Sequence, residues 1–227
     1  NGTWTDLDTV IVEKSLPTDV VQNLSGSLAT GSQGFNNNYL WDLDEGVFRH
    51  NVAGDILLSG GANALLMGDG SALESLQGSV STNNDLVTNN NTYLLLNGGD
   101  LLVGDAENEH LLYRTGTEID ILNNSDLEIS GAFARNSAGS SVDFDMTTGT
   151  TVRVNNDPDN THSNTGFDIS NTTSSFTMDG GEIIVVTGSA SASSDYNVNA
   201  TNGGLMTAGT ITSGDGSTST PDDIKFT

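Results

Sequence analysis

The side chains best placed to do chemistry in this chain are carboxylates. Three triplets of the form apolar–Asp–apolar, Ile119-Asp120-Ile121, Val142-Asp143-Phe144 and Phe167-Asp168-Ile169, each put one acid on the outer side of a short alternating segment. If the segments stack, Asp120, Asp143 and Asp168 form an outward ladder that Asn197 continues. Carboxylates stacked at the ~4.8 Å spacing of neighbouring strands repel one another. A bound cation, protonation, or splay into water would each relieve them. A second acidic group has more oxygen donors. The loop Asn155-Asn156-Asp157-Pro158-Asp159-Asn160 holds two carboxylates among three Asn side chains, and loops also offer backbone carbonyls. Calcium takes about 6–8 oxygen ligands, so Asp157 and Asp159 are the candidate Ca²⁺ ligands. The loop lacks the glycine and distal glutamate of an EF-hand. Ca²⁺ is the one cofactor that the sequence suggests, with a merely solvated acidic surface as the alternative.

Catalytic arrangements are not evident. The cationic inventory is six Lys and Arg and three His, too thin to place a base beside each acid. Arg114 and Arg135 fall about one coil apart and could be neighbours. No carboxylate pair, Arg and base recur in one register. Gly68-Asp69-Gly70 lacks the following Lys-Ser/Thr of a phosphate loop, and no nucleophile motif is present. The chain therefore reads as non-catalytic. Thirty acidic residues give a formal net charge of −24, which repels nucleic acid and anionic membranes and favours cations. The absence of cysteine excludes disulfides and thiolate metal sites. No run of apolar residues is long enough for a membrane-spanning helix, so no membrane insertion is expected. The sequence starts at Asn1, and we expect a mature or excised form whose export signal is gone.

The elements that must position these acids follow from a repeat. The triplets are followed by second alternating pieces, Leu127-Glu128-Ile129, Val152-Arg153-Val154 and Phe176-Thr177-Met178. The first pieces recur at 119, 142 and 167 and the second at 127, 152 and 176. Period-two alternation over a few residues signals strands. A fixed period in the twenties, here roughly 23–25 residues, signals a solenoid. Gly-Gly and Asn-rich turns (Gly60-Gly61, Asn89-Asn90-Asn91, Gly98-Gly99) separate the strands. The expected fold is all-β: a right-handed parallel β-helix with about three short strands per coil. A hydrophobic content of 34% suits its narrow core better than a two-layer domain. An antiparallel sandwich would space its strands similarly, but would not align strand pairs from coil to coil. In this register Ile119, Val142 and Phe167 stack inward, as do Leu127, Val152 and Phe176. Glu128 and Arg153 align outward with Thr177.

Residues 1–34 read as an N-terminal cap, with a strand at Leu7–Val12 and a short helix over Val20–Leu24 begun by Thr18 or Asp19. Residues 35–211 form the shaft, from which 155–165 project as a loop. Residues 212–227 are a polar linker and a connecting strand that carries Ile224 and Phe226 on one face. These two are the candidate assembly residues, adding as a strand to a sheet edge in a neighbouring subunit or back on their own shaft.

The Asp120, Asp143 and Asp168 triplets with their partner strands, together with the opening Gly2-Thr3-Trp4-Thr5-Asp6-Leu7-Asp8, resemble secreted parallel β-helix surface proteins. These are adhesin stalks and the Gly/Asn/Ser/Thr-rich acidic cargo of bacterial secretion systems; phage tail spikes are the second resemblance. The resemblance spans about residues 39–211 and implies a fold and an extracellular address, with no functional residue transferred. The expected function is an extracellular structural or adhesive module, with self-association through the ends of the solenoid and surface glycans as candidate partners. The alternative is a carbohydrate-active β-helix, a lyase or a tail-spike-like depolymerase.

Overall fold

The structure is a computed structural model. It describes residues 10–13, 20–24, 41–44, 47–58, 63–106, 108–154, 166–169, 171, 173–185, 198–200, 205–213 and 224–226. Every regular element among them is a strand, and every strand pairing is parallel. The chain winds as a β-solenoid whose coils each cross three faces.

Strands are numbered in chain order. The first face is a nine-stranded sheet: β1 (Val10–Glu13), β3 (Trp41–Asp44), β5 (Asn63–Met67), β7 (Asp85–Thr88), β10 (Leu111–Tyr113), β13 (Phe133–Arg135), β16 (Phe167–Ile169), β18 (Val198–Ala200) and β20 (Ile224–Phe226). The second face takes β2 (Val20–Leu24), the first half of β4 (Val47–Leu58) and of β6 (Ala72–Thr82), then β8 (Tyr93–Asn97), β11 (Thr117–Leu122), β14 (Val142–Thr147) and the first half of β17 (Ser175–Val185). The third face takes the second halves of β4, β6 and β17 with β9 (Asp100–Val103), β12 (Asp126–Ile129) and β15 (Thr151–Val154). Strand β19 (Leu205–Ser213) lies on β17 across both faces, and the register shifts where the pair turns the corner.

The expected β-helix with three short strands per coil is therefore the fold. Two local expectations are corrected. Val20–Leu24 is a strand on β4, not a helix: the β-branched pair Val20-Val21 has a parallel edge to join, and this outweighs the capping signal of Thr18 and Asp19. The register also differs from the expected one. Thr117 faces Val142 and Ile119 faces Phe144, so the pairing of Ile119 with Val142 is off by two positions. A slip of two preserves which side chains point inward, so alternation alone does not detect it. Phe167 stacks on Phe133 in the first face, and Phe176 stacks on Phe144 in the second. Leu127 and Val152 face each other as expected, but Ile183 rather than Phe176 continues their column.

The main core is a column of inward side chains; a second, small buried cluster joins Val87, Leu112, Ala132 and Ala134, with Leu66 packed against it. Tyr113, Phe133, Phe144 and Phe167 are fully buried and Phe176 nearly so. Their rings touch in a chain: Tyr113 stacks on Phe133 at 5.0 Å, Phe133 on Phe167 at 4.9 Å, and Phe144 meets Phe167 edge-on at 5.3 Å. Such pairs add about 0.5–1.5 kcal/mol each beyond the area they bury. The corner between the first and second faces is polar but satisfied. Thr117 Oγ1 lies 2.8 Å from Thr88 Oγ1 and 3.2 Å from Thr92 Oγ1, and the Gly116 and Val142 amides donate to Ser141 and Ser174. The turns repeat as well. Asn91 (φ 55°) sits beneath Gly116 (φ 74°), and Asn124 (φ 61°) beneath Gly149 (φ 82°), one coil apart in each case. Asn and Gly are the residues that tolerate this left-handed backbone.

Candidate functional site: a carboxylate face on the shaft

The second face points two adjacent rows of acids outward. In β11 the outward residues are Glu118 and Asp120; in β14 they are Asp143 and Asp145. Register places Glu118 opposite Asp143 and Asp120 opposite Asp145, so four carboxylates occupy two neighbouring strands. On the β8 side Tyr93 stands opposite Glu118 and Leu95 opposite Asp120. On the β17 side Ser175 stands opposite Asp143 and Thr177 opposite Asp145.

Hydroxyls soften this face incompletely. The Tyr93 phenol donates to Asp120 Oδ2 at 2.7 Å, and the Ser175 hydroxyl donates to Asp143 Oδ1. Asp145 accepts a bond from the Thr177 side chain, yet its Oδ1 is buried without a partner. Burial pushes the Asp145 carboxyl above the ordinary aspartate range, and the charges of Asp143 and Asp120 push the same way, against the Thr177 bond. Glu118 is raised by burial first, then by Asp120, Asp143 and Asp145. Burial and the bond to Asp120 raise the Tyr93 phenol. Further along the Asp120 row stands Arg49, whose guanidinium is held by Glu74. Among the described residues, no group of three His, Asp or Glu is arranged to hold a metal ion.

The expected Asp ladder is thus a two-by-two cluster. Asp120 and Asp143 both belong to it, but their direct partners are Asp145 and Glu118. Asp168 does not belong. It sits on the first face, opposite Asn199 rather than Asn197, with its side chain 5% exposed and bonded to Arg135 Nε at 2.9 Å. The Tyr113 phenol donates to the Asp168 backbone carbonyl at 2.6 Å, and burial raises that phenol. Asp168 is therefore the anchor of a structural knot. Arg135 lies opposite Tyr113, whose neighbour along the chain is Arg114. The two arginines do share a corner, though the Arg135 guanidinium is engaged. Glu128 faces Arg153 as expected, but Thr177 is not in their row.

Asp157, Asp159 and the rest of residues 155–165 lie outside the described residues, as do Asn197, residues 214–223 and most of the expected cap 1–34; Thr212 and Ser213, expected to begin the polar linker, instead end β19 and pair with β17. The backbone of Ile224–Phe226 runs parallel to β18, with Ile224 opposite Val198 and Phe226 opposite Ala200. Tyr93, Glu118 and Asp145 are the members of the face that sequence reasoning missed. The even recurrence of Asn91 with Gly116 and of Asn124 with Gly149 marks the true register and would have found them. No protein-family model matches the chain, and no curated protein or solved structure is significantly similar to it.

Proposed function

We propose that this chain is an extracellular structural or adhesive β-solenoid module, non-catalytic, and a subunit of a surface fibre of the secreted adhesin or acidic-cargo type. The observation that carries this is the continuous stack of the first face, nine parallel strands from β1 to β20 with a single register irregularity, at Asn63/Leu65 between β5 and β7. A regular stack of this kind resists bending and presents repeated surface, which are properties of a shaft. A carbohydrate-active site would need a base or an Arg free to act beside paired carboxylates. The carboxylate face has the pairs, but the Arg49 of its row is occupied by Glu74. Self-association runs through the ends of the solenoid, where strand edges offer unpaired backbone groups, with Ile224 and Phe226 in the connecting strand. Surface glycans are the candidate ligands of an adhesive role, and Ca²⁺ at Asp157 and Asp159 would brace the shaft.

The test is assembly. Light scattering and negative-stain microscopy of the purified chain should show oligomers or filaments, and deleting residues 222–227 should shorten or abolish them. Single particles at every concentration, or cleavage of polysaccharide by the purified chain, would overturn the proposal.

A further inference from the structure

We infer that the face formed by Glu118, Asp120, Asp143 and Asp145 is a proton-operated brace: mild acid tightens the shaft and rising pH loosens it. The argument starts from geometry. Register sets Glu118 directly against Asp143 and Asp120 directly against Asp145, at the separation where like charges on adjacent strands destabilise a sheet. Elsewhere a solenoid can reduce such repulsion by alternating signs, as Glu128 and Arg153 do on the third face. Here, among the described residues, no cationic side chain stands between the acids. The elements packed on the cluster bring Tyr93 from β8, and Ser175, Thr177 and Asp179 from β17; Glu74 of β6 lies one strand further along, already holding Arg49 of β4. Tyr93 donates to Asp120, Ser175 to Asp143 and Thr177 to Asp145, which leaves Glu118 the least supported of the four and one oxygen of Asp145 unbonded.

Asp145 Oδ1 is buried and unpartnered. A proton on Asp145 removes the charge, and the repulsion from Asp120 and Asp143 goes with it. The raised affinities of Glu118 and Asp145 for protons agree in direction. A carboxyl raised in the folded state binds more protons folded than unfolded. Its favourable contribution is fully present below the ordinary carboxylate range and is lost as pH rises through the raised value. The effect opposes acid denaturation, in which carboxylates stabilised by folding are protonated.

The experiment is thermal melting by circular dichroism from about pH 4, within the ordinary carboxylate range, to pH 8, at fixed ionic strength and with chelator present. Three variants accompany the wild type: Asp145→Asn, Glu118→Gln and, as a control that removes the same charge from the third face, Glu182→Gln. We expect the wild-type Tm to fall as pH rises from the ordinary carboxylate range through the raised values of Glu118 and Asp145. At pH 8 Asp145→Asn and Glu118→Gln should raise Tm by about 2–4 °C, the shift a modest stabilisation gives a chain of this size, and should flatten the pH profile. Glu182→Gln should leave the slope unchanged. If the wild-type Tm is flat or climbs with pH, or if the control flattens the slope as much as the two face variants, the brace does not exist. Should Asp145→Asn fail to fold, Glu118→Gln decides alone.

Discussion

Two adjacent substitutions, Val152→Asp and Arg153→Asp, put the same side chain on opposite sides of one strand. Val152 is fully buried between Leu127 and Ile183. Its replacement loses the ~1.5–3 kcal/mol gained by burying an aliphatic side chain. It also strands a carboxyl among apolar neighbours; the group escapes the larger cost of a buried charge by staying protonated, and still lacks partners, a further ~1–3 kcal/mol. The sum, about 3–6 kcal/mol, is a large part of the stability of an ordinary domain, ~5–15 kcal/mol. Arg153 points outward opposite Glu128. Replacing it sets two exposed carboxylates across from each other, which costs about 1 kcal/mol or less. Urea titrations followed by circular dichroism should therefore separate the two variants widely, with Arg153→Asp near wild type and Val152→Asp shifted to much lower denaturant. Since each coil touches only its neighbours, Val152→Asp should also broaden the transition as the coils on either side uncouple. Equal midpoints for the two variants would refute the inward column of Leu127, Val152 and Ile183.

Arg135→Ala removes the partner of a carboxylate whose side chain is 5% exposed, while Arg135 itself is 29% exposed; we expect a loss of about 1–3 kcal/mol, less than for a fully buried pair. Arg114→Ala at the same corner is exposed and should stay within about 0.5 kcal/mol, so equal urea midpoints for the two would remove the structural role of the Arg135–Asp168 pair. For Ca²⁺, melts in millimolar CaCl₂ and in chelator should differ by mass action on the folded state, and the double variant Asp157→Asn/Asp159→Asn should lose the difference. Identical wild-type melts would end the Ca²⁺ proposal.

The fold was legible because a strand announces itself by alternation and a solenoid by recurrence, and both are present in Ile119-Asp120-Ile121, Leu127-Glu128-Ile129 and Val152-Arg153-Val154. The face to which a strand belongs was less legible. The outward positions of the first face are mostly apolar, Leu66, Val87, Leu112 and Ala134, but Phe167-Asp168-Ile169 on that face carries the apolar–polar–apolar code and so reads like Ile119-Asp120-Ile121 on the second. Strand β13 (Phe133–Arg135) is very short, with Ala134 in the outward place, and its weak pattern hid the third strand of its coil. The acidic character of the second face could be read from composition, but its pairing could not: a slip of two positions sets Asp145 rather than Asp143 opposite Asp120, and Asp168 belongs to another face. Only the turn residues with left-handed backbone fix that slip, because their stacking tolerates no sliding.

The columns also bear on how the chain finds its shape. Leu94, Ile119 and Phe144 lie on one another at equal steps along the chain, so the two stacking events that join them close loops of the same length. Across residues 155–165 the steps lengthen, from Val152 to Ile183 on the third face and from Phe133 to Phe167 on the first. Because closure entropy grows only with the logarithm of loop length, a step longer by about a third adds roughly 0.3 kcal/mol. The extra chain is thus nearly free, and the columns resume in register beyond it. A winding of this kind can lengthen by whole turns, or carry inserted segments between turns, without slowing the closure of any one of them.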